Sequence, residues 1–119
     1  MISKKIESLD SFRGDEGSEI KQIFHPENTQ MGIRYSLAQS VILPGKSSRL
    51  HKMKSAEIYF VLEGDGIIHV DDQSEKIEKN QSVYIPPLSK QYLENTGQIE
   101  LKVLCIVDPA WSPDDEISS

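Results

Sequence analysis

The sequence predicts an all-β fold, an antiparallel sandwich or barrel, on three observations. Its apolar segments are short, their pattern is period-two or continuous rather than helical, and turn residues separate them at close spacing. In order, "MGIRYSLAQSVIL" alternates Ile33, Tyr35 and Leu37 against Arg34 and Ser36 and ends at Pro44-Gly45, which reads as a strand and a turn. "EIYFVLEG" and "GIIHVDD" follow, and Asp71-Asp72 marks a hairpin turn before "SEKIEKN" returns. "SVYIPP" and "QYLEN" lead to a turn at "NTG", and "IELKVLCIVD" closes the series of about six strands. A helix is conceivable only near "IESLDSF" or in the tail, and the acidic 109–119 segment reads as a solvated or frayed terminus with Trp111 capping the open end of a core.

Two strands are apolar on both faces. In a strand, neighbouring side chains point to opposite sides, so the unbroken run Ile58, Tyr59, Phe60, Val61, Leu62 requires cover on both. The run Val103 to Val107 has the same character. A second sheet of the same chain or a second subunit must supply that cover, and a homodimer is expected, through sheet faces or exchanged N-terminal strands.

The totals bound the rest. At 119 residues and 37% hydrophobic, residues 1–119 fit one domain with one core. Thirteen Lys and Arg against nineteen Asp and Glu, a net charge of −6 without a basic cluster, argue against nucleic acid as a partner. No segment approaches a membrane span or a signal peptide, so a soluble, cytoplasmic protein without membrane partners is expected. The lone Cys105, inside an apolar run, reads as a buried core thiol.

Candidate chemistry centres on "HKMKSAEIYFVLEGDG". His51 and Glu57 are six positions apart, and a short turn near Lys54-Ser55 would bring both into a barrel interior from adjacent strands. They could ligate a metal together, or the histidine could simply hydrogen-bond a nearby carboxylate. Tyr59 shares the parity of Glu57 and is a pocket-lining candidate, with Ile85 and Tyr92 or Leu93 as further wall. His25 and His69 have no partner at metal-like spacing and stay outside the site, while Gly64 and Gly66 read as requirements of a tight turn.

From Gly45 the chain reads glycine, five residues, His51, one residue, Met53, three residues, Glu57, six residues, Gly64. This resembles the first motif of the cupins, glycine-x5-His-x-His-x(3 or 4)-Glu-x6-glycine, with Met53 at the second histidine. Residues 80–95, "NQSVYIPPLSKQYLEN", resemble the second motif, glycine-x5-Pro-x-glycine-x2-His-x3-Asn: Pro86 and Asn95 match, while Asn80 and Leu88 replace glycines and Gln91 replaces the histidine.

The resemblance implies an antiparallel cupin or jelly-roll barrel, a double-stranded β-helix, with motif 1 at 45–64 and motif 2 at 80–95. It also implies a metal position at His51, Glu57 and Gln91, with Met53 and Tyr59 in the pocket and a divalent ion such as Zn, Mn, Fe or Ni as the cofactor. Methionine is a soft donor and an amide oxygen a weak one, so Met53 reads as pocket wall and Gln91 as either ligand or orienting group. Two functions follow. Either the barrel binds a small polar molecule, with any metal weakly held and no definite reaction, or it is a metal-dependent enzyme acting on a small oxygenated substrate, sugar-phosphate isomerase-like or dioxygenase-like, with Glu57 the candidate catalytic group.

Overall fold

In a computed structural model, residues 1–15, 18–113 and 116–118 are described, with backbone only for 14–15 and 116–118. The strands are β1 (Phe12–Asp15), β2 (Ser18–Phe24), β3 (Ser36–Ile42), β4 (His51–Met53), β5 (Ala56–Glu63), β6 (Asp65–Val70), β7 (Gln73–Glu78), β8 (Ser82–Ile85), β9 (Gln91–Glu94), β10 (Leu101–Asp108) and β11 (Glu116–Ser118). They form a six-stranded sheet, β1-β2-β3-β10-β5-β8, and a five-stranded sheet, β11-β4-β9-β6-β7, with every pairing antiparallel. The expected all-β jelly roll is what forms. The helical signal in "IESLDSF" yields one 3-10 turn, Ile6–Ser8, and no helix among the described residues is long and apolar enough to cross a membrane.

Side-chain size along the strands divides the interior into a packed end and an open end. Ile42, Val61, Leu101 and Val103 are fully buried at one end, with Ile77 nearly so. Moving along the same strands, the inward positions become small or polar: Ser36, Ala38 and Ser40 on β3, Tyr59 then Glu57 on β5, Cys105 on β10. Aliphatic side chains fill space to crystal-like density, whereas serine and alanine leave it open. The inward register of β3 therefore runs through Ser36, Ala38 and Ile42, and the strand begins only at Ser36, so Ile33 and Tyr35 precede it.

The glycine positions of the second motif keep their backbone shape without glycine. Asn80 has φ 72° and Leu88 φ 69°, both left-handed. Asparagine tolerates that region, but a leucine there costs about 1–2 kcal/mol. Leu88 is 58% exposed, so trimming its side chain removes little packing. Leu88→Gly should therefore raise the unfolding free energy by about 1 kcal/mol in urea denaturation, even after glycine's greater unfolded-state entropy.

Two expectations change. Gly64, at φ 85°, is a turn glycine, but Gly66 lies within β6, and a Cβ there would collide with the Glu94 carbonyl: it permits close backbone approach. The tail does not simply fray: Glu116–Ser118 pair antiparallel with Met53–His51, giving β4 a neighbour on its outer edge, while residues 114–115 and 119 lie outside the described residues.

Candidate functional site

The open end holds a cavity of about 250 Å³, to which both sheets contribute. On β5 the alternation buries Glu57 and Tyr59 and turns Ile58 and Phe60 outward, as their parity predicted. His51 and Met53, alternate residues of β4, line the same cavity from the opposite sheet. His51 is the register partner of Gln91 on β9.

Gln91 ties the sheets together. Its Nε2 donates to Glu57 Oε1 at 2.9 Å, and its Oε1 accepts the Tyr59 hydroxyl proton at 2.8 Å. The carboxylate can only accept, which fixes the amide orientation. Gln91 is 2% exposed, so both ends of its amide are committed inside the protein. The amide that the motif alignment places at a ligand position thus orients Glu57.

His51 is oriented too. Its Nδ1 lies 2.7 Å from the Arg49 carbonyl oxygen, an acceptor, so Nδ1 carries the proton and Nε2 of the neutral ring keeps its lone pair. Metal-bound histidines are commonly held in this way, as are histidines that accept a ligand's hydrogen bond. Among the described residues, no three His, Cys, Asp or Glu side chains gather as ion ligands.

Cys105 forms cavity wall beside Glu57, and burial, then the Glu57 charge, push its thiol well above the ordinary thiol range. The unfolded chain therefore releases this proton at lower pH than the folded protein does. The stability this group contributes is complete below the unfolded thiol pKa and declines above about pH 9, by about 1.4 kcal/mol per pH unit until the folded thiol itself titrates. Cys105→Val should remove this component of the alkaline slope, measured by denaturation from pH 8 to 10.5.

Other expected residues fall as follows. Leu93 is buried against the cavity and Ile85 in the core beside Glu57, its register partner, while Tyr92 stacks on His69 with ring centroids 4.2 Å apart. His69 also contacts Ser74 at 2.8 Å and Glu94 at 3.0 Å, away from the cavity. His25 Nε2 donates to the Trp111 carbonyl at 2.6 Å, anchoring the segment after β10. Trp111 itself lines the cavity.

Arg13 and Arg49, which the sequence did not single out, also line this cavity. They occur singly, without a recurring motif, and only the fold assembles them.

Residues 39–107 match the cupin domain family, and the chain belongs to it. It is 34% identical over 116 residues to the uncharacterized protein MJ1618 of Methanocaldococcus jannaschii, covering 97% of this chain and 92% of that one. It is also 27% identical to mannose-1-phosphate guanylyltransferase 2 of Escherichia coli O157:H7, covering 98% of this chain but only 25% of that protein. The chain thus spans about a quarter of the transferase. In fold it resembles a cupin-2 domain of Rhodospirillum rubrum, with a TM-score of 0.81 at 18% identity over 99% of this chain and 80% of that one.

Proposed function

We propose that the barrel binds a small, hydroxyl-bearing anion, with a sugar phosphate as the leading class, and that Glu57 contacts the ligand directly without a resident metal. The observation that carries this reading is the Glu57 carboxylate on the cavity wall, held by the amide of Gln91. A buried carboxylate is costly unless paired, and one oriented toward a cavity is suited to accept a ligand hydroxyl proton. Ser36, Ser40 and Ser48 add hydroxyls around it, and Arg13 and Arg49 add positive charge suited to phosphate. At about 250 Å³ the cavity lies below the common range of ~300–1,000 Å³, which favours a ligand of monosaccharide size or smaller with its anionic group at the mouth. The match to part of a mannose-1-phosphate guanylyltransferase points to the same class.

His51 is the residue that favours a metal-dependent enzyme. The remaining donors do not fit a resident first-row ion. His51 Nε2 and Glu57 are two ordinary ligands, Met53 offers a soft thioether, and the Gln91 oxygen already accepts from Tyr59, whereas catalytic sites use three protein ligands. In the metal-free reading His51 Nε2 accepts a second hydroxyl of the ligand.

Calorimetric titration of chelator-treated protein with mannose 1-phosphate, mannose and inorganic phosphate tests this. The sugar phosphate should bind at least tenfold more tightly than either fragment, and Glu57→Gln and Arg49→Ala should each weaken it at least tenfold. Binding that appears only after a stoichiometric metal is restored, or that Glu57→Gln leaves unchanged, would overturn the proposal.

A further inference from the structure

One row of paired positions crosses the floor of the cavity. Gln22 on β2 is the register partner of Ala38 on β3, Ala38 of Cys105 on β10, and Cys105 of Tyr59 on β5. All four line the cavity. At a strand spacing of about 4.8 Å, the row spans roughly 14 Å along the curved sheet. Ala38 and Cys105 have short side chains, so the middle of the row is a trough. Its β5 wall carries the Tyr59 hydroxyl and, through the amide of Gln91, the Glu57 carboxylate. Its β2 wall carries the amide of Gln22.

The two glutamines are in opposite states. Both ends of the Gln91 amide are hydrogen-bonded, whereas Gln22 Oε1 is buried and accepts no hydrogen bond among the described residues. The one other buried side-chain oxygen of that kind among them, Asp108 Oδ1, has Arg34 Nε at 3.3 Å. A buried polar atom without a partner costs stability, and such atoms are rare in folded proteins, so each calls for a cause. Packing does not demand an amide here, since Ile20, the preceding inward residue of β2, shows that the same wall accepts an aliphatic side chain. Directly after Gln22 the strand is irregular: Gln22 and Phe24 face Ala38 and Leu37, two steps against one. Bulges of this kind re-aim side chains and occur beside active sites. Turning the amide over would put its nitrogen in the same buried position, unpaired in its turn. A hydroxyl satisfies either group, because it both donates and accepts.

We infer that Gln22 is a specificity-determining residue of this cavity, its amide hydrogen-bonding a hydroxyl of the bound sugar phosphate on the side of the ring away from Glu57. The inference rests on the sugar-phosphate reading above and adds a requirement for two separated hydroxyls, one at each wall of the trough. Glu57 accepts the proton of one and Gln22 pairs with the other, so a phosphate ester with a bare ring leaves both walls unsatisfied. A site built to hydrogen-bond a hydroxyl discriminates strongly against the analogue that lacks it, because the protein's own buried group is then left unpaired. Without ligand the Gln22 oxygen has no hydrogen bond to lose, so its removal should not destabilise the fold.

Calorimetric titration of chelator-treated wild type and Gln22→Met with mannose 1-phosphate, cyclohexyl phosphate and inorganic phosphate tests this. Methionine matches glutamine in length without its amide. The substitution should weaken mannose 1-phosphate at least tenfold, leave the other two anions within about twofold, and leave the Tm of the ligand-free protein unchanged or raised. Of the 2-, 3-, 4- and 6-deoxy analogues of mannose 1-phosphate, at least one should bind wild type and Gln22→Met alike, which identifies the hydroxyl that the amide reads. Equal binding of mannose 1-phosphate by both proteins, or an equal loss for all three anions, would overturn the role of Gln22 and leave the sugar-phosphate reading standing. A lowered Tm without ligand would also overturn it, since the amide would then serve the fold. A wild type that does not bind mannose 1-phosphate would overturn the sugar-phosphate reading, and this inference with it.

Discussion

Replacing Gln91 by leucine is expected to lower the unfolding free energy by about 2–3 kcal/mol, because it strips a buried carboxylate of a charge-assisted hydrogen bond and the Tyr59 hydroxyl of an acceptor. For a chain of this length that corresponds to a fall in Tm of roughly 8–12 °C. The loss comes from the missing hydrogen bond to the carboxylate more than from lost packing, since glutamine and leucine are of comparable size. Replacing both partners by apolar groups should therefore cost less than replacing one. The double variant Glu57→Leu/Gln91→Leu is expected to be more stable than Gln91→Leu alone, and urea denaturation of the two single variants and the double variant measures the coupling. Additive losses would mean that the amide does not hold Glu57, and the assignment of Gln91 as its orienting group would go with them.

This coupling marks a limit of what could be read from the sequence. Gln91 was placed by its spacing from Pro86 and Asn95, and it lies beside Glu57. An amide offers both a donor and an acceptor, so whether Gln91 acts as ligand or orienting group depends on what lies across the sandwich. Only the packing distance between β5 and β9 brings the Tyr59 hydroxyl within reach of the amide oxygen.

Parity along β5 was legible because a strand alternates strictly, and one fixed residue sets all the others. Asn95 matched its motif position, and the reason is structural: its amide bonds the Ile42 and Ile99 carbonyls and accepts from the Gly97 amide, stitching the turn at the packed end. Other features left no local trace. A three-residue strand such as β11 is too short to display a period, and it exists only because β4 presents an edge. Ser36, Ala38 and Ser40 look like ordinary strand residues, and what sets them apart is the space their small side chains leave open in the cavity.

The same geometry predicts that a metal site can be built where the family motif has lost two histidines. His51 and Met53 project from β4 into the cavity, His51 is the register partner of Gln91, and Gln91 contacts Glu57, so the four positions surround one region of the wall. Met53→His/Gln91→His would place three imidazole nitrogens and one carboxylate there, a set suited to Zn, Ni or Mn. His51 is already held by the Arg49 carbonyl with Nε2 as its acceptor nitrogen, so one ligand is preorganised. The double variant should retain close to one equivalent of Zn or Ni after dialysis, measured by elemental analysis, whereas the wild type retains almost none. At metal concentrations about 100-fold above the dissociation constant, binding should add about 2.7 kcal/mol of stability, a rise in Tm of roughly 10 °C that a chelator reverses. Each single substitution, which supplies two imidazoles and the carboxylate, should retain metal more weakly than the double variant. Adding Glu57→Gln to the double variant should weaken retention by removing the only anionic ligand. A double variant that keeps its β-sheet circular dichroism and yet binds metal no better than the wild type would show that these four side chains do not converge, and the site geometry described for His51, Met53, Glu57 and Gln91 would have to be abandoned.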